Sequence, residues 1–288
     1  MTKLILTIII ALAASFSASA QRLKAMTGVV NGSYDFWLYT PDASKEAEVE
    51  PKPVIIFLHG ASLCGRDLNK VKRYGTIDAI EMGRKLDAYV IAPQNPGGAW
   101  SPDKVMALLD YVADEHNIDY DRVYVLGMSL GGYGTVDVAA RYPDRIAAAI
   151  AMCGGASAKD LSGLNDVPLW LIHGTADRAV SIKQSDNVAA AISRVDPETP
   201  RLAYDRVAGW GHGTPARLLY HPDFYKWLFK HSLKDHERPI APVFDVDNSL
   251  LKEAYQGLTF KKRSKSSSAK RKTKAKSKTR RKKTSAKR

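Results

Sequence analysis

The sequence predicts an α/β protein built on a mostly parallel sheet with helices on both faces. Three observations carry this. From about residue 27 to 233, short apolar runs alternate with amphipathic stretches, the pattern of a sheet whose crossovers are helical. Runs such as Val54-Ile55-Ile56-Phe57-Leu58 are continuously apolar, as strands buried on both faces must be. The apolar fraction of 45% over 288 residues is ordinary for a packed globular core.

Residues 28–40 predict a hairpin, because Asn31-Gly32 is a two-residue turn signal between strand-like segments. The strand at 54–58 ends at His59-Gly60, a helix is predicted over 67–86, and a second strand over 88–92. Ser101-Pro102-Asp103 opens a helix as N-cap, first-turn proline and first-turn acid, and that helix runs to about His116. Further strands are predicted at 122–126, 146–152, 168–172 and 201–207. Helices are predicted at 131–142, 182–195 and 222–233. One domain therefore accounts for residues 21–240, an irregular linker follows over 241–260, and residues 261–288 form a tail.

The chemistry-bearing residues fall at strand ends. Gly127-Met128-Ser129-Leu130-Gly131 follows the strand at 122–126 and opens the helix at 131–142, the context a nucleophile elbow requires. Its glycines let the chain turn sharply and leave the Ser129 hydroxyl exposed. A serine hydroxyl is a poor nucleophile at neutral pH and needs a base. His212, in Gly209-Trp210-Gly211-His212-Gly213 beyond the strand at 201–207, is the candidate base. Asp177, in His173-Gly174-Thr175-Ala176-Asp177 beyond the strand at 168–172, is the candidate acid that orients it. An oxyanion hole needs two preorganised N–H donors. The backbone of Leu130 is expected to supply one, and that of Ala61 or Ser62 the other. Trp100 and Trp210 are candidates for an aromatic platform beside the nucleophile.

His59 is expected to shape the oxyanion loop and His173 to be a structural histidine, while His116, His221, His231 and His236 suit surface roles. No histidine pair has metal-ligand spacing and H-E-x-x-H is absent, so neither a metal nor a cofactor is expected. Cys64 and Cys153 could pair, but two separate buried thiols is the reading adopted.

These motifs together, with Leu130-Gly131-Gly132-Tyr133-Gly134, Ala92-Pro93-Gln94-Asn95 and Trp100, resemble the α/β-hydrolase serine esterases. Nearer look-alikes are the feruloyl-esterase-like and "predicted peptidase" group, close to dienelactone hydrolase and prolyl oligopeptidase catalytic domains. The resemblance covers about residues 28–233 and implies the fold, the order Ser129, Asp177, His212, and hydrolysis of carboxylic esters through an acyl-serine. Only about 15 residues separate the strands at 146–152 and 168–172, too few for a lid domain, so an open site is expected. That suits acyl or feruloyl esters attached to polysaccharide. A serine peptidase of prolyl-oligopeptidase type is the first alternative, weighed down because no propeller domain precedes the catalytic region.

The net charge of +13 is not spread evenly. Residues 261–288 hold 16 of the 43 basic side chains and no acid, so the other 260 residues carry 27 basic against 30 acidic ones. The tail has no apolar side chain larger than alanine and is expected to be disordered. It motivates a second alternative, binding of a polyanion such as lipopolysaccharide, acidic glycan or nucleic acid. At the other end, Lys3, the apolar run from Leu4 to Leu12 and Ala18-Ser19-Ala20 predict a cleaved signal peptide over residues 1–20. The expected product is a secreted or periplasmic protein with no transmembrane segment.

Overall fold

A computed structural model describes residues 23–41 and 50–260. The segment read as a signal peptide, 1–20, and the basic tail, 261–288, lie outside those residues.

An eight-stranded sheet runs in the order β1-β2-β4-β3-β5-β6-β7-β8. Its strands are β1 Leu23–Met26, β2 Phe36–Tyr39, β3 Lys52–Leu58, β4 Tyr89–Pro93, β5 Ile118–Met128, β6 Ala148–Met152, β7 Leu169–Gly174 and β8 Leu202–Val207. The first two strands run antiparallel to their neighbours, and β4 to β8 pair in parallel through β3. The helices are α1 Thr76–Glu81, α2 Pro102–Glu115, α3 Leu130–Arg141, α4 Lys183–Val195, α5 Pro222–Leu228 and α6 Asn248–Glu253.

Buried residues form two large clusters, one on each side of the sheet. Val54, Ile56 and Leu58 of β3 belong to one, and Ile55 and Phe57 to the other. Alternate side chains of one strand therefore serve both cores, which is why that segment reads as a continuous apolar run. From β3 the chain first steps outward to β4, then crosses back to β5 on the opposite flank. Loops after β3 and β5 thus diverge and leave a crevice at the C-terminal edge of the sheet, where doubly wound folds bind ligands.

Several expectations need correction. The hairpin is present, but its first strand is Leu23–Met26 and its connection spans residues 27–35 rather than two. Asp35 shapes that longer loop by accepting from the Gly28 N–H at 2.8 Å. The predicted helix at 67–86 is a 3-10 turn, Leu68–Arg73, followed by the short α1. Gly75 breaks it at φ 89°, and a Cβ there would collide with the Phe57 ring. The predicted helix at 222–233 stops at Leu228.

The linker expected over 241–260 is in large part a folded element. Asp247 caps α6 by accepting from the N–H groups of Ser249 (2.8 Å) and Leu250 (3.2 Å). Leu250, Leu251 and Ala254 are buried, and Phe244 packs 5.1 Å from both Trp170 and Phe224. The compact unit therefore reaches Leu258 rather than 240. Beyond it only Thr259 and an exposed Phe260 are described. Between β6 and β7 there is no inserted domain, only a 3-10 turn, Ser162–Asp166. No helix among the described residues is long and apolar enough to cross a membrane.

Candidate active site

Ser129 lies between the end of β5 and the start of α3 with φ 58° and ψ −123°, a conformation that L-residues rarely adopt. Such strain costs about 1–3 kcal/mol and persists only where its surroundings enforce it. Here the Ser129 N–H donates to the Met152 carbonyl at 2.8 Å, and the Ser129 carbonyl accepts from Tyr133 N–H at 3.0 Å. The glycines of the motif are sterically required. A Cβ on Gly127 would meet the backbone of Gly131 and Leu58, and one on Gly131 would overlap the carbonyls of Leu58 and His59.

Two loops bring the other groups to the serine. Gly174 lets the Trp210 backbone approach so closely that any Cβ would overlap it. The Ala176 N–H donates to the Trp210 carbonyl at 3.0 Å, and the Gly209 N–H to Thr175 Oγ1 at 3.0 Å. Laced this way, the loops after β7 and β8 set His212 Nδ1 2.7 Å from Asp177 Oδ2, and His212 Nε2 2.9 Å from Ser129 Oγ. The three residues named from sequence thus form one hydrogen-bonded chain across 83 positions between Ser129 and His212.

Asp177 Oδ1 accepts from the N–H groups of Ala179 (2.8 Å) and Val180 (2.9 Å). Burial alone would raise the Asp177 carboxyl, but the Val180 N–H, the His212 ring and the Ala179 N–H outweigh it and hold the group below its ordinary value. It is ionised at neutral pH, which fixes His212 with Nδ1–H towards the carboxylate and Nε2 free to accept from Ser129.

Sequence reasoning did not foresee the closeness of His173 to this carboxylate. Its Nε2 lies 3.2 Å from Asp177 Oδ2 and 3.1 Å from the Val180 carbonyl, and its Nδ1 lies 2.8 Å from Ser185 Oγ. With two acceptors facing Nε2, the proton belongs there. Burial lowers the His173 pKa, so the ring is a neutral donor. Cys153 is buried beside this pair at φ 47°, and burial pushes its thiol up to about 12. Cys153, His173 and Asp177 place ligand-type atoms within 4.8 Å of one another, but the histidine and the carboxylate are already engaged in the hydrogen bonds above.

Leu130 is the first residue of α3 and Ala61 the first of a 3-10 turn, Ala61–Leu63, so both N–H groups stand at helical N-termini without intrahelical acceptors. Ala61 and Ser62 line the cleft that contains Ser129 and His212. His59 organises this loop from beneath. It is fully buried, its Nδ1 donates to the Gly60 carbonyl (2.8 Å), and its Nε2 accepts from Asn95 N–H (3.1 Å). Gln94 Nε2 donates to the carbonyls of Leu63 and Gly65, both at 2.8 Å.

The two tryptophans are placed otherwise than expected. Trp100 is buried against Gly134, edge-on to Tyr34 and His59, with its indole N–H on the His59 carbonyl at 3.2 Å. Trp210 is buried with its indole N–H on Asn248 Oδ1 at 2.9 Å. Neither lines the cleft, so the aromatic-platform expectation is corrected. The rings that do line it are Tyr74, Tyr220 and Tyr255. Tyr74 is turned inwards by the break at Gly75, and its hydroxyl accepts from Gly60 N–H at 2.8 Å. A glycine interrupting the predicted helix was the one sequence signal for it.

His221 and His231 are buried rather than on the surface. His221 caps α5 by accepting from Asp223 N–H, and His231 joins the Trp227 carbonyl to the Ala241 N–H. The cysteines are both free thiols, Cys64 partly exposed and Cys153 buried.

Comparison with known proteins agrees with this architecture. Residues 88–162 match the model of the prolyl oligopeptidase family. Over 81 residues the chain is 35% identical to a bifunctional acetylxylan esterase/xylanase of Neocallimastix patriciarum, a match covering 28% of this chain and 12% of that protein. Over 121 residues it is 27% identical to a poly(3-hydroxyalkanoate) depolymerase C of Paucimonas lemoignei, covering 36% and 28%. The match thus spans less than a third of either curated relative's length. Among solved structures, a thermostable esterase superposes with a TM-score of 0.58 at 24% identity, covering 73% of this chain and 62% of that one. The chain has the α/β-hydrolase fold.

Proposed function

We propose that this chain, an α/β-hydrolase by fold, is an exported serine carboxylesterase that removes acyl or feruloyl groups, with polysaccharide esters as its substrates. One observation carries the catalytic part. Ser129, His212 and Asp177 stand at 2.9 and 2.7 Å from one another in series, on a strained serine facing a cleft.

In this reading Ser129 Oγ attacks the ester carbonyl while His212 Nε2 takes its proton. The N–H groups of Leu130 and of Ala61 or Ser62 hold the developing oxyanion. His212 then protonates the departing alcohol and activates the water that frees the acyl-serine. Asp177 stays ionised and stabilises the imidazolium; Asp177→Asn should cost roughly 10⁴-fold in kcat. The acetylxylan esterase among the relatives supports an acyl ester on a plant polymer, and the depolymerase supports a polymeric ester more broadly.

The test is hydrolysis of 4-nitrophenyl acetate and methyl ferulate by residues 21–288 beside the Ser129→Ala variant. Turnover that depends on Ser129 supports the esterase, and the ratio of the two esters sizes the acyl pocket. The prolyl oligopeptidase match favours a second reading, a serine peptidase using the same triad. Failure on both esters together with cleavage of a peptide anilide would select it. Residues 261–288 carry the separate proposal of polyanion binding to lipopolysaccharide, acidic glycan or nucleic acid. Cutting the chain after Phe260 should remove salt-sensitive retention on heparin and leave ester turnover intact.

A further inference from the structure

The cleft beside Ser129 encloses about 670 Å³, the size of many small-molecule sites and far more than an acetyl group fills. Met128, Val180 and Ala216 give it an apolar floor, and among the described residues no carboxylate lines it; Asp78, behind its far wall, accepts from the Tyr220 hydroxyl at 2.7 Å. Its far wall comes from the segment following β8. Tyr220 and Tyr255 stand with ring centroids 4.6 Å apart, tilted by 35°. Besides His212, the lining among the described residues includes a single basic side chain, Arg217.

Arg217 is held but not neutralised. Its Nη2 donates to the Leu251 carbonyl at 2.9 Å, and its guanidinium lies 5.7 Å from the Tyr255 ring centroid. Among the described residues no carboxylate comes within ion-pair distance of it. Arg122, Arg141, Arg145 and Arg206 each have an aspartate partner. The guanidinium is oriented by its hydrogen bonds to the Leu251 carbonyl and to Tyr255, its remaining donors are left for a ligand, and its planar fork matches a carboxylate.

We propose that Arg217, with Tyr220 and Tyr255, forms an anion-accepting subsite, so that the favoured esters carry a carboxylate on the group entering this cleft. The inference rests on the serine-esterase reading and names its substrate class: half-esters of dicarboxylic acids, and acyl groups bearing an acid at the end remote from the ester. The apolar floor takes the body of that group, the tyrosine rings flank it, and Arg217 meets its charge. Because Arg217 is solvent-exposed, the effect should be moderate and screened by salt.

The test uses 4-nitrophenyl half-esters of succinate, adipate and suberate, each beside its methyl-capped neutral twin. In the wild type, kcat/KM for one length of half-ester should exceed that of its twin by about tenfold, shrinking in 0.5 M salt. Arg217→Met should bring that ratio to about one, and Arg217→Lys should leave it between. An unchanged ratio in Arg217→Met, or a wild-type ratio near one at every length, overturns the subsite. A binding readout separates this from the enzyme reading. Free adipate should bind the Ser129→Ala protein by calorimetry and lose that binding when Arg217→Met is added. No binding there overturns the subsite, whereas binding without ester turnover by wild type overturns only the esterase reading.

Discussion

His173 Nε2 stands 3.2 Å from Asp177 Oδ2, the same carboxylate oxygen that faces His212 Nδ1 at 2.7 Å. Both side chains of the His173–Asp177 pair are wholly buried. The neutral imidazole donates a second ring N–H to the oxygen that orients the base, and it also grips the Val180 carbonyl. In the proposed mechanism His173 is thus a positioning residue acting through Asp177. His173→Leu should lower kcat by about tenfold with KM within about twofold, in keeping with loss of a buried hydrogen bond to a charged group. His173→Gln, whose amide can still donate, should recover most of it. A change in KM alone, or no recovery with glutamine, would count against the role.

Gly131 is required by space rather than by backbone freedom. The Leu58 and His59 carbonyls occupy the volume its Cβ would take, because α3 packs directly against the end of β3. Gly131→Ala must push β3 and α3 apart at the elbow. It should lower stability by more than about 3 kcal/mol, or prevent recovery of folded protein, as overpacking of backbone does. Denaturant unfolding monitored by tryptophan fluorescence measures this, and a variant within about 0.5 kcal/mol of wild type would refute the contact.

Burial lowers the His59 pKa from 6.5 to about 4. Between those values the unfolded chain binds more protons than the folded one, so stability falls as pH drops through this window. The contribution is fully present above about pH 6.5 and lost by about pH 4, an effect on the order of 3 kcal/mol. Protonating Nε2 would also break the hydrogen bond from Asn95 N–H that holds the oxyanion loop. Burial lowers His173, His221 and His231 too, in the same direction. Midpoints of thermal unfolding should therefore decline from pH 6.5 to 4.5, and less steeply in His59→Gln. Equal slopes in the two proteins would show that His59 does not titrate this way.

Leu251 ties α6 to the rest of the compact unit, with its side chain buried and its carbonyl on Arg217. Leu251→Ala should cost about 2–5 kcal/mol through the cavity it leaves. As α6 loosens, Tyr255 should be released from the cleft wall, so KM for bulky esters should rise more than KM for acetate. A stability loss below about 1 kcal/mol in denaturant melts would mean that this segment is only loosely attached.

The fold class, the strand segments and the three residues that the structure joins by hydrogen bonds were legible in the sequence because each depends on local pattern. A parallel strand buried on both faces reads as an unbroken apolar run, and strand-end loops carry Ser129, Asp177 and His212 in chain order. The cleft walls were not legible. Tyr74 enters because Gly75 interrupts a helix that periodicity alone extends. Tyr255 and Arg217 meet because residues 248–258 fold back onto the body, a long-range packing that weak local periodicity cannot reveal. Trp100 and Trp210 made the opposite error: aromatic side chains near reactive motifs suggested ligand contact, yet their indole N–H groups are satisfied inside the core. Sequence by itself determined the fold class and the chain order of Ser129, Asp177 and His212. Tertiary structure decided the cleft's shape and charge, because contacts between distant segments follow from packing and not from neighbours along the chain.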